Sequence, residues 1–289
     1  MSTSASPVRA VGFIGLGDQG APMAQALASS DFELHVWARS SRSLAALEGH
    51  RHTAHPDPAA LIKAVEVLAL CVTDDDGVRS LVTSDQTQAV FRMGQIVVNH
   101  GTGDPDENRR ISAELAESGV HYLDAPVSGG SPAARSRSLT TMVGGDADAF
   151  DACRPVFDVY SATVAHMGPV GAGQLTKLLN NSMTMSNLAN AIDMVTIADG
   201  LGLDVEQVIS VIGASSGAST SLTNLAATTD LDLAAHLQSL YAKDIEHFAD
   251  TVRAQDLDPA HLHERGTFAA HHLRDTVATL ARHRTTEGI

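Results

Sequence analysis

Residues 11–24 read VGFIGLGDQGAPMA, which sets Gly15-x-Gly17-x-x-Gly20 between a short β-rich run and the start of a helical pattern. Glycine at these three places permits a tight turn, close approach of a pyrophosphate to the backbone, and close packing of the helix on its strand. A bare G-x-G-x-x-G is weak evidence, and a glycine turn serving packing alone reads the same way. Its place after VGFIGL (11–16) and at the mouth of a helix over about 20–29 supplies the context that the motif needs. The expectation is a dinucleotide loop made of Gly15, Leu16, Gly17, Asp18, Gln19 and Gly20. Asp18 is an odd neighbour for a diphosphate, so its carboxylate is expected to point away.

Further β-rich runs follow at 33–38, 65–72, 95–100, 120–127 and 138–145, with helical patterns near 42–49, 76–83 and 105–118. Apolar strands separated by helices imply a parallel sheet covered on both faces. From about 169 onward the strands stop, and helices are expected over 172–199, 204–213, 219–228, 234–255 and 263–283. Gly200 and Gly202 are candidate stops for the first of these. The fold class is therefore an α/β Rossmann-type dinucleotide-binding domain followed by an all-α C-terminal domain, joined by a long interdomain helix. With 289 residues, two domains are expected, over 1–168 and 169–289.

The second strand bears on which dinucleotide is held. An NAD site usually closes that strand with an acid for the ribose hydroxyls, whereas a nearby arginine suits a 2′-phosphate. Here the chain reads HVWARSSRS, with Arg39, Ser40 and Arg42 and no acid before Glu48. NADP is expected in preference to NAD, although Arg42 taken alone also reads as a solvated helix residue.

Net charge is −15 and spread along the chain. No overall field attracts a polyphosphate, so nucleic acid is not an expected partner, and an anionic small molecule must be held by local groups. The 14 histidines are scattered, with tight pairs at His261/His263 and His271/His272, and no metal site is expected. Two cysteines are too few for a disulfide framework. No long apolar run predicts a membrane span, and MSTSASPVRA lacks the apolar core of a secretory signal, so the cytoplasm is the expected compartment.

Two later segments carry candidate chemistry. DAPVSGGSPAA (124–134) offers the Ser128 hydroxyl and the unobstructed N–H groups of Gly129 and Gly130, a nest for an anion such as carboxylate, though a generic Gly-Ser loop reads alike. GQLTKLLNN (173–181) sets Lys177 near the start of a long apolar helical pattern, where a free ammonium is expensive. The chain holds three lysines, at 63, 177 and 243. Lysine can give up its proton where arginine cannot. An amine on a partly dry helix face loses proton affinity, so it can serve as a proton carrier near neutral pH.

G-x-G-x-x-G, then DAPVSGG, then Gly171-x-Gly173-x-x-x-Lys177-x-x-Asn180-Asn181, in that order and spacing, resemble the β-hydroxyacid dehydrogenase family. The Lys243-Asp244 pair matches as well, and the resemblance covers nearly the whole chain. It implies that Lys177 is the catalytic lysine and that Asn181, four residues on and on the same helix face, meets the same substrate. It implies that Ser128, Gly129 and Gly130 hold the substrate carboxylate and that Lys243 lies near nicotinamide and substrate. Asn180 is assigned to holding helix and loop together. The family often reads D-x-S-T where this chain has Asn99-His100-Gly101-Thr102, and its Leu-Pro turn appears here as Val72-Thr73. Thr102, Val72 and Thr73 remain candidate cofactor contacts.

The implied activity is NADP-dependent interconversion of a small 3-hydroxyacid and its semialdehyde or keto acid. An imine or ketone reductase on the same scaffold is the alternative, which Lys177 argues against; a non-catalytic NADP-binding regulator is a third reading. The loop GASSGASTSLTN (213–224) is expected to line the pocket. The long apolar pattern over 172–199 offers more apolar face than one small α-domain covers, so a homodimer or homotetramer is expected.

Overall fold

The computed structural model describes residues 8–286. By its internal contacts the chain divides between Lys177 and Leu178 into two compact units.

In the first unit, nine strands among the described residues form one sheet. They are β1 (Ala10–Ile14), β2 (Glu33–Trp37), β3 (Thr53–Ala54), β4 (Val67–Leu70), β5 (Ile96–Asn99), β6 (His121–Asp124), β7 (Val127–Ser128), β8 (Leu139–Gly144) and β9 (Ser161–Gly168). The order is β3-β2-β1-β4-β5-β6-β8-β7, with β9 paired to β8. Helices α1 (Gly20–Ala28), α2 (Ser41–Leu44), α3 (Pro58–Ala64), α4 (Asp75–Val82), α5 (Asp85–Gln88), α6 (Pro105–Ala116), α7 (Gly130–Arg135) and α8 (Ala147–Phe157) connect them.

The apolar runs explain the centre of the sheet. Every residue of β1 and β4 is buried, and alternate side chains enter two cores. Val11 and Phe13 join Met23 and Leu27 on one face. Ala10 and Ile14 join Leu61, Ile62 and Leu70 on the other. A strand apolar on both faces belongs in the middle of a parallel sheet, and the pairings from β3 through β6 are all parallel.

Beyond β6 the expectation of a parallel sheet needs correction, because β8 runs antiparallel to both β6 and β7. The run expected as one strand over 120–127 splits after Asp124. Pro126 has no N–H to give a ladder, and its carbonyl accepts from Met142 N at 3.0 Å. The helix expected over 42–49 is α2 followed by a single 3₁₀ turn, Ala45–Leu47.

Past residue 168 no strand occurs among the described residues. Helices α9 (Ala172–Gly200), α10 (Val205–Gly213), α11 (Thr220–Ala227), α12 (Leu231–Arg253) and α13 (Ala260–Thr286) follow. α9 has 29 residues, about 43 Å at 1.5 Å per residue. It stops at Gly200, and Gly202 takes the left-handed backbone (φ +68°) that glycine tolerates. The core of the second unit lies where Met185, Leu188, Ala189, Ile192 and Val195 of α9 meet Ile245 and Phe248 of α12 and Leu273, Val277 and Leu280 of α13. The i, i+3, i+4, i+7 spacing of the α9 residues makes one helix face.

Candidate active site

Register across the sheet explains why distant motifs converge. Trp37, Ile14, Leu70, Asn99 and Asp124 are successive Cα partners from β2 to β6. Each strand therefore ends on the same edge, and the segments that begin at Ala38, Gly15, Cys71, His100 and Ala125 leave from one rim. The order reverses between β1 and β4, the switch point beside which open α/β sheets bind ligands.

The glycine loop sits at that switch point. Gly15 has φ +100°, and a Cβ there would lie 2.1 Å from the Cys71 carbonyl oxygen; at Gly20 it would lie 1.9 Å from the Gly15 oxygen. Those two glycines are required by packing. Gly17 is exposed, and nothing lies within 4 Å of the place a Cβ would take. α1 has no side-chain cap and no acid in its first turn. By contrast Asp57, Asp74, Asp104 and Asp146 cap α3, α4, α6 and α8 with their own carboxylates. An uncapped helix start beside an open glycine is a fit for the diphosphate of a dinucleotide. Leu16 is buried, Gln19 is half-buried and occupies the N-cap position of α1, and Asp18 is exposed.

Past β2, Arg39, Ser40 and Arg42 are all exposed. Ser40 caps α2, its Oγ accepting from Arg42 N at 3.3 Å. Among the described residues no carboxylate pairs with Arg39 or Arg42, so both guanidinium groups are available to an anion. After β4, Val72 is half-buried and Thr73 exposed.

The Asn99–Gly103 segment is held on several sides. The Asn99 Oδ1 accepts from Gly101 N at 2.9 Å, and its Nδ2 donates to Asn108 Oδ1 at 3.0 Å. A Cβ on Gly101 would lie 2.8 Å from the Val72 carbonyl oxygen. Thr102 is half-buried. His100, 3% exposed, places Nδ1 2.8 Å from the Ala125 carbonyl oxygen and Nε2 3.0 Å from the Tyr160 hydroxyl. A carbonyl only accepts, so Nδ1 carries the proton and Nε2 accepts from tyrosine. Burial pushes the His100 pKa down to about 4, and the ring is neutral at working pH. The departure from D-x-S-T has thus put a neutral buried bridge between the ends of β5 and β6.

At the end of β6, Asp124 is fully buried. Its Oδ1 accepts from Gly171 N at 2.7 Å and its Oδ2 from Gln174 N at 2.8 Å. A carboxylate 47 residues upstream in sequence thus caps the start of α9, where the helix dipole favours negative charge. Burial still outweighs those bonds and lifts the Asp124 pKa to about 6. The approach is so close that a Cβ on Gly173 would lie 2.4 Å from the Met142 backbone oxygen and 2.5 Å from the Asp124 backbone oxygen. Gly171-x-Gly173 and the acid that opens DAPVSGG are two halves of one joint.

That joint positions both candidate chemical segments. Ser128 lies on β7 opposite Thr140, half-buried, and Gly129 and Gly130 follow with φ +120° and +63°. α7 has Gly129 as N-cap and no side-chain cap. Lys177 is half-buried on the second turn of α9.

In the second unit, Asn181 Nδ2 donates to Asp244 Oδ2 at 2.8 Å, and Asn180 Nδ2 reaches the Asn181 Oδ1 at 3.3 Å. Asp244 therefore orients the amide of Asn181, and its neighbour Lys243 is exposed on α12. Among the described residues, no three His, Cys, Asp or Glu side chains converge as metal ligands, and no helix is long and apolar enough to cross a membrane. His100, Asp124 and Gln174 carry no role in the sequence motifs; for His100 and Asp124 the available signal is a polar residue at the end of an apolar run.

A family model described as the NAD binding domain of 6-phosphogluconate dehydrogenase matches residues 10–168. A second, described as NAD-binding of NADP-dependent 3-hydroxyisobutyrate dehydrogenase, matches residues 171–273. The NAD-dependent L-serine dehydrogenase of Pseudomonas aeruginosa is 31% identical over 216 residues, 74% of this chain and 72% of its own. The solved structure of Psf3 in complex with NADP+ and 2-OPP is 27% identical, with a TM-score of 0.77 over 96% of this chain and 100% of that one. A Mycobacterium tuberculosis 3-hydroxyisobutyrate dehydrogenase solved with L-serine shares the fold, at 22% identity and a TM-score of 0.79 over 94% of this chain and 99% of that one. With the glycine loop at the switch point and the Asp124 joint behind Ser128 and Lys177, these matches identify the chain as a member of the β-hydroxyacid dehydrogenase family of NAD(P)-dependent oxidoreductases.

Proposed function

We propose that the protein interconverts a small 3-hydroxyacid and its semialdehyde or keto acid, using NADP in preference to NAD and Lys177 as general acid and base. The observation that carries this reading is the buried Asp124 joint, which fixes the start of the Lys177 helix to the strand leading into Ser128–Gly130. The cofactor supplies or accepts the hydride. Lys177 Nζ gives a proton to the carbonyl oxygen in reduction and takes it back in oxidation. Asn181, steadied by Asp244, and Lys243 bind the same small anion, and Ser128 with the N–H groups of Gly129 and Gly130 holds its carboxylate. L-serine, named in the Pseudomonas relative, is itself a 3-hydroxyacid.

In this reading residues 1–168 are the cofactor domain and 169–289 the substrate and dimerisation domain. Gly15, Leu16, Gly17, Asp18, Gln19 and Gly20 form the diphosphate loop, and Val72, Thr73 and Thr102 line the nicotinamide end. Arg39, Ser40 and Arg42 take the 2′-phosphate. Arg39→Asp is expected to reduce the NADPH-over-NADH preference in kcat/KM about 10–100-fold, the worth of one charge-assisted hydrogen bond. A native protein that uses NADH equally well overturns the assignment.

Leu179, Met183 and Ile197 of α9 are 57%, 60% and 62% exposed. An apolar face of that kind supports a homodimer or homotetramer; light scattering that gives a stable monomer at micromolar concentration refutes it. In this reading the protein works in the cytoplasm.

The deciding experiment is an NADPH-oxidation screen over short aldehyde- and keto-acids, with the reverse oxidation of hydroxyacids, and each active acid compared with its methyl ester. The acid is expected to be strongly preferred, because the ester removes the charge that the nest binds. Equal kcat/KM for acid and ester excludes the carboxylate role of Ser128–Gly130.

A further inference from the structure

Gln174 lies three residues, about one helical turn, before Lys177 and is fully buried. Its side chain reaches out of α9 to a loop more than 70 residues away. The Nε2 donates to the Gly101 carbonyl at 2.7 Å, and the Oε1 accepts from Gly103 N at 3.0 Å. The residue between those two glycines is Thr102. The carboxamide orientation follows from its partners, since a carbonyl only accepts and an amide only donates. Its own backbone N–H, like that of Gly171, donates to the Asp124 carboxylate. The grip leaves little slack: a Cβ on Gly101 would lie 2.8 Å from the Val72 oxygen, and one on Gly103 would lie 2.0 Å from the Asp75 Oδ1. The loop is thus pinned from β4 and α4 on one side and from α9 on the other.

We propose that Gln174 is a positioning residue: its carboxamide locks the Thr102 loop and the first turn of the Lys177 helix into one register, so that the hydride and the proton reach the same substrate. Residues three apart share a helix face, so a shift of Gln174 is a shift of Lys177. Only a planar group with one donor and one acceptor at this length makes both bonds. Glutamate, when ionised, keeps the acceptor and loses the donor; methionine keeps the length and loses both.

The inference rests on the roles proposed above for Lys177 and Thr102, and the test separates the two. In the native protein the Gly103 amide is expected to be protected from hydrogen exchange. In Gln174→Met it is expected to exchange at least about ten-fold faster, with β1 and β4 amides unchanged. With the best acid from the screen, Gln174→Met is expected to lose about 10²-fold in kcat, the scale of a 1 Å misplacement, while NADPH, still held at its diphosphate, loses less than about ten-fold in affinity. The primary isotope effect with deuterated NADPH should rise, because a misplaced acceptor makes hydride transfer rate-limiting. A merely destabilised enzyme loses active molecules and leaves the isotope effect and KM as they were. Gln174→Glu is expected to fall between native and Gln174→Met, and it decides the matter if the methionine variant does not fold. Unchanged Gly103 exchange, or lowered kcat with an unchanged isotope effect, overturns the proposal. A native protein that binds NADPH and turns over none of the acids overturns the activity proposed above, while the Gly103 exchange still decides whether Gln174 holds the loop.

Discussion

Lys177→Ala is expected to lower kcat by about 10²–10⁴-fold while NADPH still binds, the range that a positioned general acid contributes. The loop proposed to hold the cofactor, Gly15 to Gly20, is far from Lys177 in sequence and owes nothing to its ammonium. The backbone of α9 keeps its cap on Asp124 in the variant, so the helix start is unchanged. What disappears is the one group that can give up and regain a proton at this turn. Lys177→Arg separates charge from proton transfer: guanidinium restores the positive charge but holds its proton too tightly to pass it on. Little rescue is therefore expected. Single-turnover kinetics with fluorescence titration of NADPH make the measurement, and retention of more than about a tenth of native kcat rejects the role.

The second large effect concerns two buried groups with opposite responses to acid. Asp124 has its pKa raised to about 6 from an ordinary 3.8. The folded state binds that proton more tightly than the unfolded state, so stability falls as pH rises from 3.8 to 6. His100 is lowered to about 4 from 6.5. The unfolded state binds its proton more tightly, so stability rises with pH over 4 to 6.5. Each shift is worth about 3 kcal/mol, and the two nearly cancel. Single substitutions remove the balance. Destabilisation by Asp124→Asn should shrink by about 3 kcal/mol from pH 4 to pH 7, and that by His100→Gln should shrink by a similar amount from pH 7 to pH 4. Urea unfolding at the two pH values reads both; parallel profiles for native and variant chains would contradict the assignment.

Much of the first unit was legible because its signals are local. VGFIGL, VEVLALCV and QIVVNH are dense enough in β-branched and apolar residues to mark central strands. Gly15 and Gly20 mark a turn that no larger residue can make. β9 is not legible because it is mostly exposed or half-buried, and SATVAHMG shows no clean alternation. α3 and α8 passed unnoticed between stronger signals, the latter with Pro155 inside it. At the site, the glycines, Ser128, Arg39 and Lys177 could be nominated, since each is unusual where it stands. Asp124, His100 and Gln174 could not be given roles. Their partners are 25 to 73 residues away, and only the register of β5, β6 and the start of α9 makes them neighbours.

The Asp124 joint also has a consequence for how this chain can be recombined. Exchanging segments with a relative usually does least harm at an exposed connection, and the stretch between α7 and β8 is one such place. A crossover there separates Asp124 from Gly171, Gly173 and Gln174, although no residue of the crossover itself touches them. The hybrid inherits a working helix start only from a partner that brings both the acid and the glycines. The unit of exchange around α9 is therefore a pair of segments about fifty residues apart, and a graft of α9 alone carries half of what fixes its start.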